Sequence, residues 1–272
     1  MQHFSISPLA LTSTLWRNRE LIGALTKREV IGRYKGSFLG LMWSLFNPLF
    51  MLLVYSFMFS VVFKSRWPGG SESKAEFSLI LFSGLMVFNI FSEAVNRSPS
   101  LILANTNYVK RVVFPLEILP VVTLGAVVFH FLISFLAWLG FYILFIGTPP
   151  MTVLLLPIVI LPFCFFVLGI TWILAAIGVY LRDVSQVIGI ITTALMFLTP
   201  IFYPASSLPP EYRLLITLNP LTPAIEIVRN ILIWGKTPDL QLAITYSLIA
   251  LLVAWVGFVW FQKTRKGFAD VL

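Results

Sequence analysis

The chain has 272 residues, of which 58% are hydrophobic and 11% charged, with a mean hydropathy of +0.93. Soluble domains carry about 25% charged residues, so this composition excludes a soluble globular protein and specifies an integral membrane protein. The formal charge of +8 does not call for nucleic acid, because its placement follows the positive-inside rule described below. Cys164 is the only cysteine, so neither an internal disulfide nor a cysteine-built zinc site is available, and in its apolar run it reads as a small hydrophobe.

The first residues lack the basic n-region and long apolar stretch of a cleaved signal and are expected to stay on the mature protein. Residues 11–34 form an amphipathic pattern: Leu15, Leu21, Ile22 and Leu25 share one side of a helical wheel, with Arg17, Glu20, Lys27 and Arg28 opposite. A basic amphipathic helix of this kind lies in the membrane interface, although Arg19 and Glu29 weaken the pattern and a solvated helix is the alternative. Residues 1–37 are thus a cytoplasmic N-terminus with an interface helix.

The basic collar of Lys27, Arg28, Arg33 and Lys35 is followed by 26 uncharged residues, Phe38 to Phe63. This predicts a first span that starts on the cytoplasmic side. Asn47-Pro48 interrupts it, where proline removes a backbone donor and favours a kink. Trp43, Phe46, Phe50 and Phe57 fall in one arc, which suits either sugar faces along a channel wall or lipid. Five further spans are predicted at about 77–95, 115–146, 151–180, 185–203 and 240–261, with a cytoplasmic tail at 262–272. Of the 19 Lys and Arg, 13 then fall in inner segments and 6 in outer ones, so both termini are expected inside.

Three stretches do not read as plain spans or loops. Asn96 to Phe114 is too polar to cross and predicts one or two short helices on the cytoplasmic side. Glu117 follows, with Lys110 and Arg111 as expected partners. Residues 204–239 hold two half-helices divided by Asn219-Pro220-Leu221-Thr222-Pro223, the pattern of a re-entrant or outer-surface hairpin that suits a gate. Gly235-Lys236-Thr237 resembles the tail of a phosphate-binding loop, but Asn230 stands where its first glycine is required, so that reading is rejected. Glu93 is expected at a wetted boundary, and His130 in a hydrogen bond to a neighbouring helix. No paired carboxylates, activated nucleophile or metal cluster stands out, so the chain reads as a scaffold that takes its energy from another protein.

Several motifs, taken in order, carry a family resemblance. Arg33-Tyr34-Lys35-Gly36-Ser37-Phe38-Leu39-Gly40, Trp43 and Asn47-Pro48-Leu49 resemble the start of the polysaccharide-export permeases of the type 2 ABC transporters. Asn107-Tyr108-Val109-Lys110-Arg111 with Phe114-Pro115-Leu116-Glu117 resembles that family's first cytoplasmic loop. Tyr180-Leu181-Arg182-Asp183-Val184 resembles its second, and Asn219-Pro220-Leu221-Thr222 its last outer loop. The O-antigen exporter (Wzm-like) branch is the nearest, with capsule and teichoic-acid permeases sharing the pattern.

The resemblance implies an all-α homodimer of six-span subunits in the bacterial inner membrane, bound to two copies of a separate ATPase. No cofactor belongs to this chain; ATP and Mg belong to the partner. The implied cargo is an undecaprenyl-diphosphate-linked polysaccharide moved outward. Coupling to the ATPase then falls to Asn107, Tyr108, Lys110, Arg111, Arg182 and Asp183. An outer gate falls to the hairpin, with Pro209, Tyr212, Asn219, Pro220 and Trp234. Arg28, Arg33 and Lys35 stand where a lipid diphosphate would arrive. A drug or lipid permease, and an integral-membrane enzyme acting on lipid-linked sugars through Glu93, Glu117 and His130, are the alternative readings.

Overall fold

A computed structural model describes residues 6–62, 67, 74–110 and 114–272. Arg111 and most of the loop at 64–76 lie outside the described residues. All regular structure among the described residues is helical, as a chain in hydrocarbon requires when each backbone polar group must be satisfied within its own segment.

Two helices, α1 (Pro8–Arg17) and α2 (Arg19–Tyr34), replace the single N-terminal helix predicted from the sequence. Ser7 caps α1 through its side chain, with Pro8 at the first helical position. The chain breaks at Asn18, whose side-chain amide donates to the carbonyl of Thr14. α2 does not simply lie on a surface: Val30 is buried, and Thr26 fills the space left by Gly125.

The first apolar helix begins as a 3-10 turn, Gly40–Met42. It continues as α3 (Trp43–Tyr55) and widens into a π-helical stretch, Ser56–Val62. α4 (Lys74–Leu101) is longer than the expected 77–95. Asn96 to Leu101 continue the helix, through Pro99, rather than entering a loop. Only a 3-10 turn (Leu103–Asn105) and α5 (Thr106–Val109) represent the short helices expected there. α6 (Ile118–Phe145) and α7 (Leu156–Tyr180) follow as long apolar helices. α8 (Val184–Leu198) has 15 residues, about 22 Å at 1.5 Å per residue, short of the roughly 30 Å hydrocarbon core. Among the described residues, five stretches are long and apolar enough to cross, Gly40–Phe59, Ala75–Leu101, Ile118–Phe145, Met151–Tyr180 and Leu240–Val271; the predicted fifth span is the short one.

α9 (Pro210–Leu218) and α10 (Leu221–Arg229) form the expected pair of half-helices, and α10 runs on into a π-helical turn, Asn230–Trp234. α11 (Leu240–Thr264) leads through a 3-10 turn into α12 (Phe268–Val271). The C-terminal segment is packed onto the bundle: Phe268 is fully buried against Phe261 and Tyr180.

The bundle closes around α4, which is buried along nearly its whole length, whereas Gly40–Phe59 is nearly bare. Close crossings rest on residues without side chains. A Cβ on Gly169 would lie 2.4 Å from the Val253 carbonyl oxygen, one on Gly257 2.1 Å from that of Gly169, and one on Gly178 2.0 Å from that of Pro99. Two buried tryptophans bolt the layers: Trp138 donates to the Leu79 carbonyl at 3.1 Å and Trp172 to the Glu117 carbonyl at 2.9 Å.

Glu117 pairs with Arg265 at 2.5 Å, and Arg265 also donates to the Phe114 carbonyl at 2.8 Å. The sequence had suggested Lys110 or Arg111 as its partner. The C-terminal segment reaches it because the chain turns back beyond Thr264, whose carbonyl accepts from the Tyr180 hydroxyl at 2.9 Å.

Two predictions follow from this packing. Gly257→Ala should destabilise by about 1–3 kcal/mol or more, since the obstacle is backbone and cannot rotate away; a lowered thermal unfolding midpoint in detergent would register it. Glu117→Leu takes the carboxylate from a largely buried guanidinium and should cost roughly 3–5 kcal/mol. The double variant E117L/R265M should recover most of that loss in the same measurement.

Candidate functional site

The end of α2 meets α3, α4 and α6 around a cavity of about 320 Å³. Its charged wall is a network drawn from three helices. Arg33 is ion-paired with Glu93, and its Nη1 lies 3.0 Å from His130 Nδ1. The Tyr34 hydroxyl lies 3.3 Å from His130 Nε2, and its ring stands edge-on to the imidazole. Arg97, one turn beyond Glu93, reaches Glu93 at 3.4 Å and pairs with Glu29 of α2. Two arginines and two glutamates thus neutralise one another, with the imidazole between them. Asn47, Asn89 and Ser134 line the rest, beside the Pro48 interruption in α3.

The sequence had marked Glu93 and His130 separately. The structure joins them to Arg33, one of the three cations proposed to receive a diphosphate. Arg33 is therefore already engaged by a carboxylate. Arg28 donates to the Tyr108 hydroxyl at 3.2 Å, while Lys35 is exposed. Arg28 and Tyr108, assigned to different roles from sequence, are one contact. The signal available beforehand was that Glu93 and His130 are lone ionisable residues in apolar helices; their meeting is a matter of helix packing.

Tyr108 stands on α5, stacked on Phe114 at 4.2 Å, with Asn107 and Lys110 exposed beside it. Arg182 and Asp183 are exposed in the α7–α8 turn, where the Asp183 carbonyl accepts from the Gln186 and Val187 amides. No hydrogen bond or ion pair joins the two turns among the described residues. They do share one end of the bundle, because Gly178 near the end of α7 lies against Pro99 near the end of α4.

Four aromatic residues of the first apolar helix form a bare face. Trp43, Phe46, Phe50 and Phe57 are all exposed. The Trp43 and Phe46 rings meet edge to face at 5.5 Å, and Phe46 stacks with Phe50 at 6.4 Å.

At the far end, the α9–α10 hairpin is clasped to the point where α8 stops. The Asn219 amide donates to Thr199 Oγ1 at 2.8 Å, while its carbonyl oxygen accepts from the Leu221 amide at 3.0 Å. Arg229, buried in α10, donates to the carbonyls of Pro200 at 3.0 Å and Ile201 at 3.3 Å, and stacks over Trp67 at 4.5 Å. Gly84 of α4 makes room, since a Cβ there would lie 2.9 Å from Arg229 Nη2. Pro209, Tyr212 and Pro220 are exposed, and Trp234 is half-buried at the end of the π-helical turn. Gly235, at φ 63°, ends that turn in the left-handed region where glycine is favoured. Sequence reasoning missed Arg229, because an arginine in an amphipathic half-helix reads as solvated.

A family model described as "ABC-2 type transporter" matches residues 20–233. The chain is 30% identical over 264 residues to the O-antigen export system permease protein RfbA of Myxococcus xanthus, covering 96% of this chain and 99% of the relative. It is 26% identical to the RfbA protein of Klebsiella pneumoniae over 93% of this chain and 95% of the relative. It is 27% identical to the polysialic acid transport protein KpsM of Escherichia coli over 90% and 93%. These likenesses run through α2, the polar cavity and the hairpin alike, and the chain belongs to the ABC-2 type transporter family.

Proposed function

We propose that this chain is the transmembrane subunit of an ABC exporter that moves a lipid-linked polysaccharide, of the O-antigen kind, out of the cytoplasm. The observation that carries the reading is the near end-to-end likeness to O-antigen export permeases. The likeness to a polysialic acid transport protein favours capsule polysaccharide as the second reading.

Two subunits assemble in the inner membrane with both termini cytoplasmic, and two copies of a separate ATPase bind ATP and Mg and supply the energy. The bare aromatic face from Trp43 to Phe57 supports a channel wall, since C–H-rich sugar faces pack on rings while hydroxyls remain hydrated. Exposed Asn107, Lys110, Arg182 and Asp183 at one end of the bundle support docking of the ATPase there, with Arg111 next in sequence to Lys110. Tyr108 hands motion to α2 through Arg28, and rigid helices carry it onward. The lipid diphosphate arrives at Arg28 and Lys35, with Arg33 behind them. At the opposite end the hairpin serves as the outer gate, its hinge at Asn219 and Pro220.

Expressed with its ATPase in cells lacking their own O-antigen permease, the chain should restore surface polysaccharide; none at the surface, with both proteins present in the membrane, would end this reading. Replacing Tyr108, Lys110 and Arg182 together with alanine should lower co-purification of the ATPase about tenfold, the equivalent of roughly 1.4 kcal/mol of interface energy. Unchanged co-purification and export would remove these residues from the contact.

A further inference from the structure

The cavity beside Glu93 is lined by more hydrogen-bonding capacity than the chain itself uses. Among the described residues, the side chains of Asn47, Tyr55, Asn89 and Ser134 make no hydrogen bond, and all four line this one space. They come from three different helices, so their convergence is a product of packing rather than of local sequence. Asn89 is the one exposed residue between Phe77 and Pro99 of an otherwise buried helix. An amide left without partners among apolar helices costs free energy unless water or a ligand occupies the space it faces. Pro48, also in the wall, adds a further acceptor, because it lacks the N–H that the Ser44 carbonyl would otherwise receive.

The charge at the wall decides what chemistry fits. Arg33 and Arg97 are held by Glu93 and Glu29, so an anion would have to displace a carboxylate to reach a guanidinium. All the contacts of Glu93 fall on Oε1, leaving Oε2 able to accept a hydroxyl in a strong charge-assisted bond. Two amides that both donate and accept, two hydroxyls and one carboxylate oxygen match a polyol. Phe82 and Phe131 supply ring surface for its C–H faces. The volume of about 320 Å³ is at the lower end for small-ligand sites and suits one or two sugar rings.

We propose that this cavity binds a neutral, hydroxyl-rich sugar ring, and so reads the uncharged part of the cargo rather than its diphosphate. The proposal rests on the polysaccharide-export reading above, and it adds a specificity site within one subunit. Asn47 and Asn89 bind ring hydroxyls, Glu93 accepts one, and Arg33 with His130 holds the carboxylate in place as positioning residues.

The test is saturation-transfer NMR on the purified full-length chain in detergent, with methyl glycosides of neutral hexoses as probes and inorganic pyrophosphate as competitor. Ring-proton signals from at least one glycoside are expected, undisturbed by pyrophosphate. N47L/N89L should weaken binding about tenfold, as the loss of two hydrogen bonds implies. S134F, which adds a ring to the cavity wall from α6 and leaves both amides in place, should do the same and stands in if the double variant fails to insert. Equal signals in wild type and variants, no signal from any glycoside, or displacement by pyrophosphate would overturn the proposal. In the export assay, these variants should lose surface polysaccharide while still co-purifying with the ATPase; full export would overturn the specificity role. If the wild-type chain exports nothing, the polysaccharide-export reading fails, whereas the NMR result judges the cavity independently.

Discussion

A polar side chain set among apolar helices must find its partner inside the chain, and the described part of this structure is organised by that requirement. Several polar residues of the long helices are tied to another segment, in contrast to the unpaired groups around the cavity. Asn96 of α4 and Thr192 of α8 hydrogen-bond to each other at 3.1 Å. Glu117, at the start of α6, draws the C-terminal segment back to itself through Arg265. Glu93 gathers Arg33, Arg97 and His130. These ties hold helices whose apolar surfaces alone would not choose one neighbour over another, because lipid tails are as apolar as leucine. The backbone-close crossings at Gly169, Gly178 and Gly257 then set how near the helices come.

The same requirement separates the two ends of the bundle. At one end, α2, α5, the α7–α8 turn and the C-terminal segment are fastened together by Arg28–Tyr108, Tyr180–Thr264 and Glu117–Arg265. Through these ties α5 and the end of α7 are each connected to long helices of the bundle. At the other end, Asn219 and Arg229 bind the carbonyls and hydroxyl exposed where α8 stops. A π-helical turn there leaves the Ile231 carbonyl to the Thr152 hydroxyl at 2.6 Å. These polar contacts add to the apolar packing of α10, whose Leu221, Ala224, Ile225 and Val228 are buried in the core.

The bare surfaces complete the picture. Gly40–Phe59, α8 and α11 expose much of their apolar area, while α4 is enclosed. A membrane and a second subunit both offer partners for such faces. The aromatic arc on α3 is the one with a chemical character of its own, since its rings contact one another and remain about half exposed.

The amino-acid sequence by itself determined the class of protein, the positions of most long helices, the two-part hairpin and the family. Each of these is written in short-range patterns: apolar runs, charge breaks, prolines, and motifs of a few residues. It also marked Glu93 and His130 as exceptional, because an ionisable group in an apolar run stands out without any structure. What joins them was decided only by tertiary structure. Arg33 meets Glu93 across 60 residues and His130 across 97, Arg265 meets Glu117 across 148, and no periodicity encodes separations of that length. The buried state of Arg229, the docking of the tail through Phe268, the continuation of α4 through Pro99 and the shortness of α8 were hidden for the same reason. Each depends on what a neighbouring helix presents, so composition alone reads Arg229 as solvated and says nothing of where the tail packs.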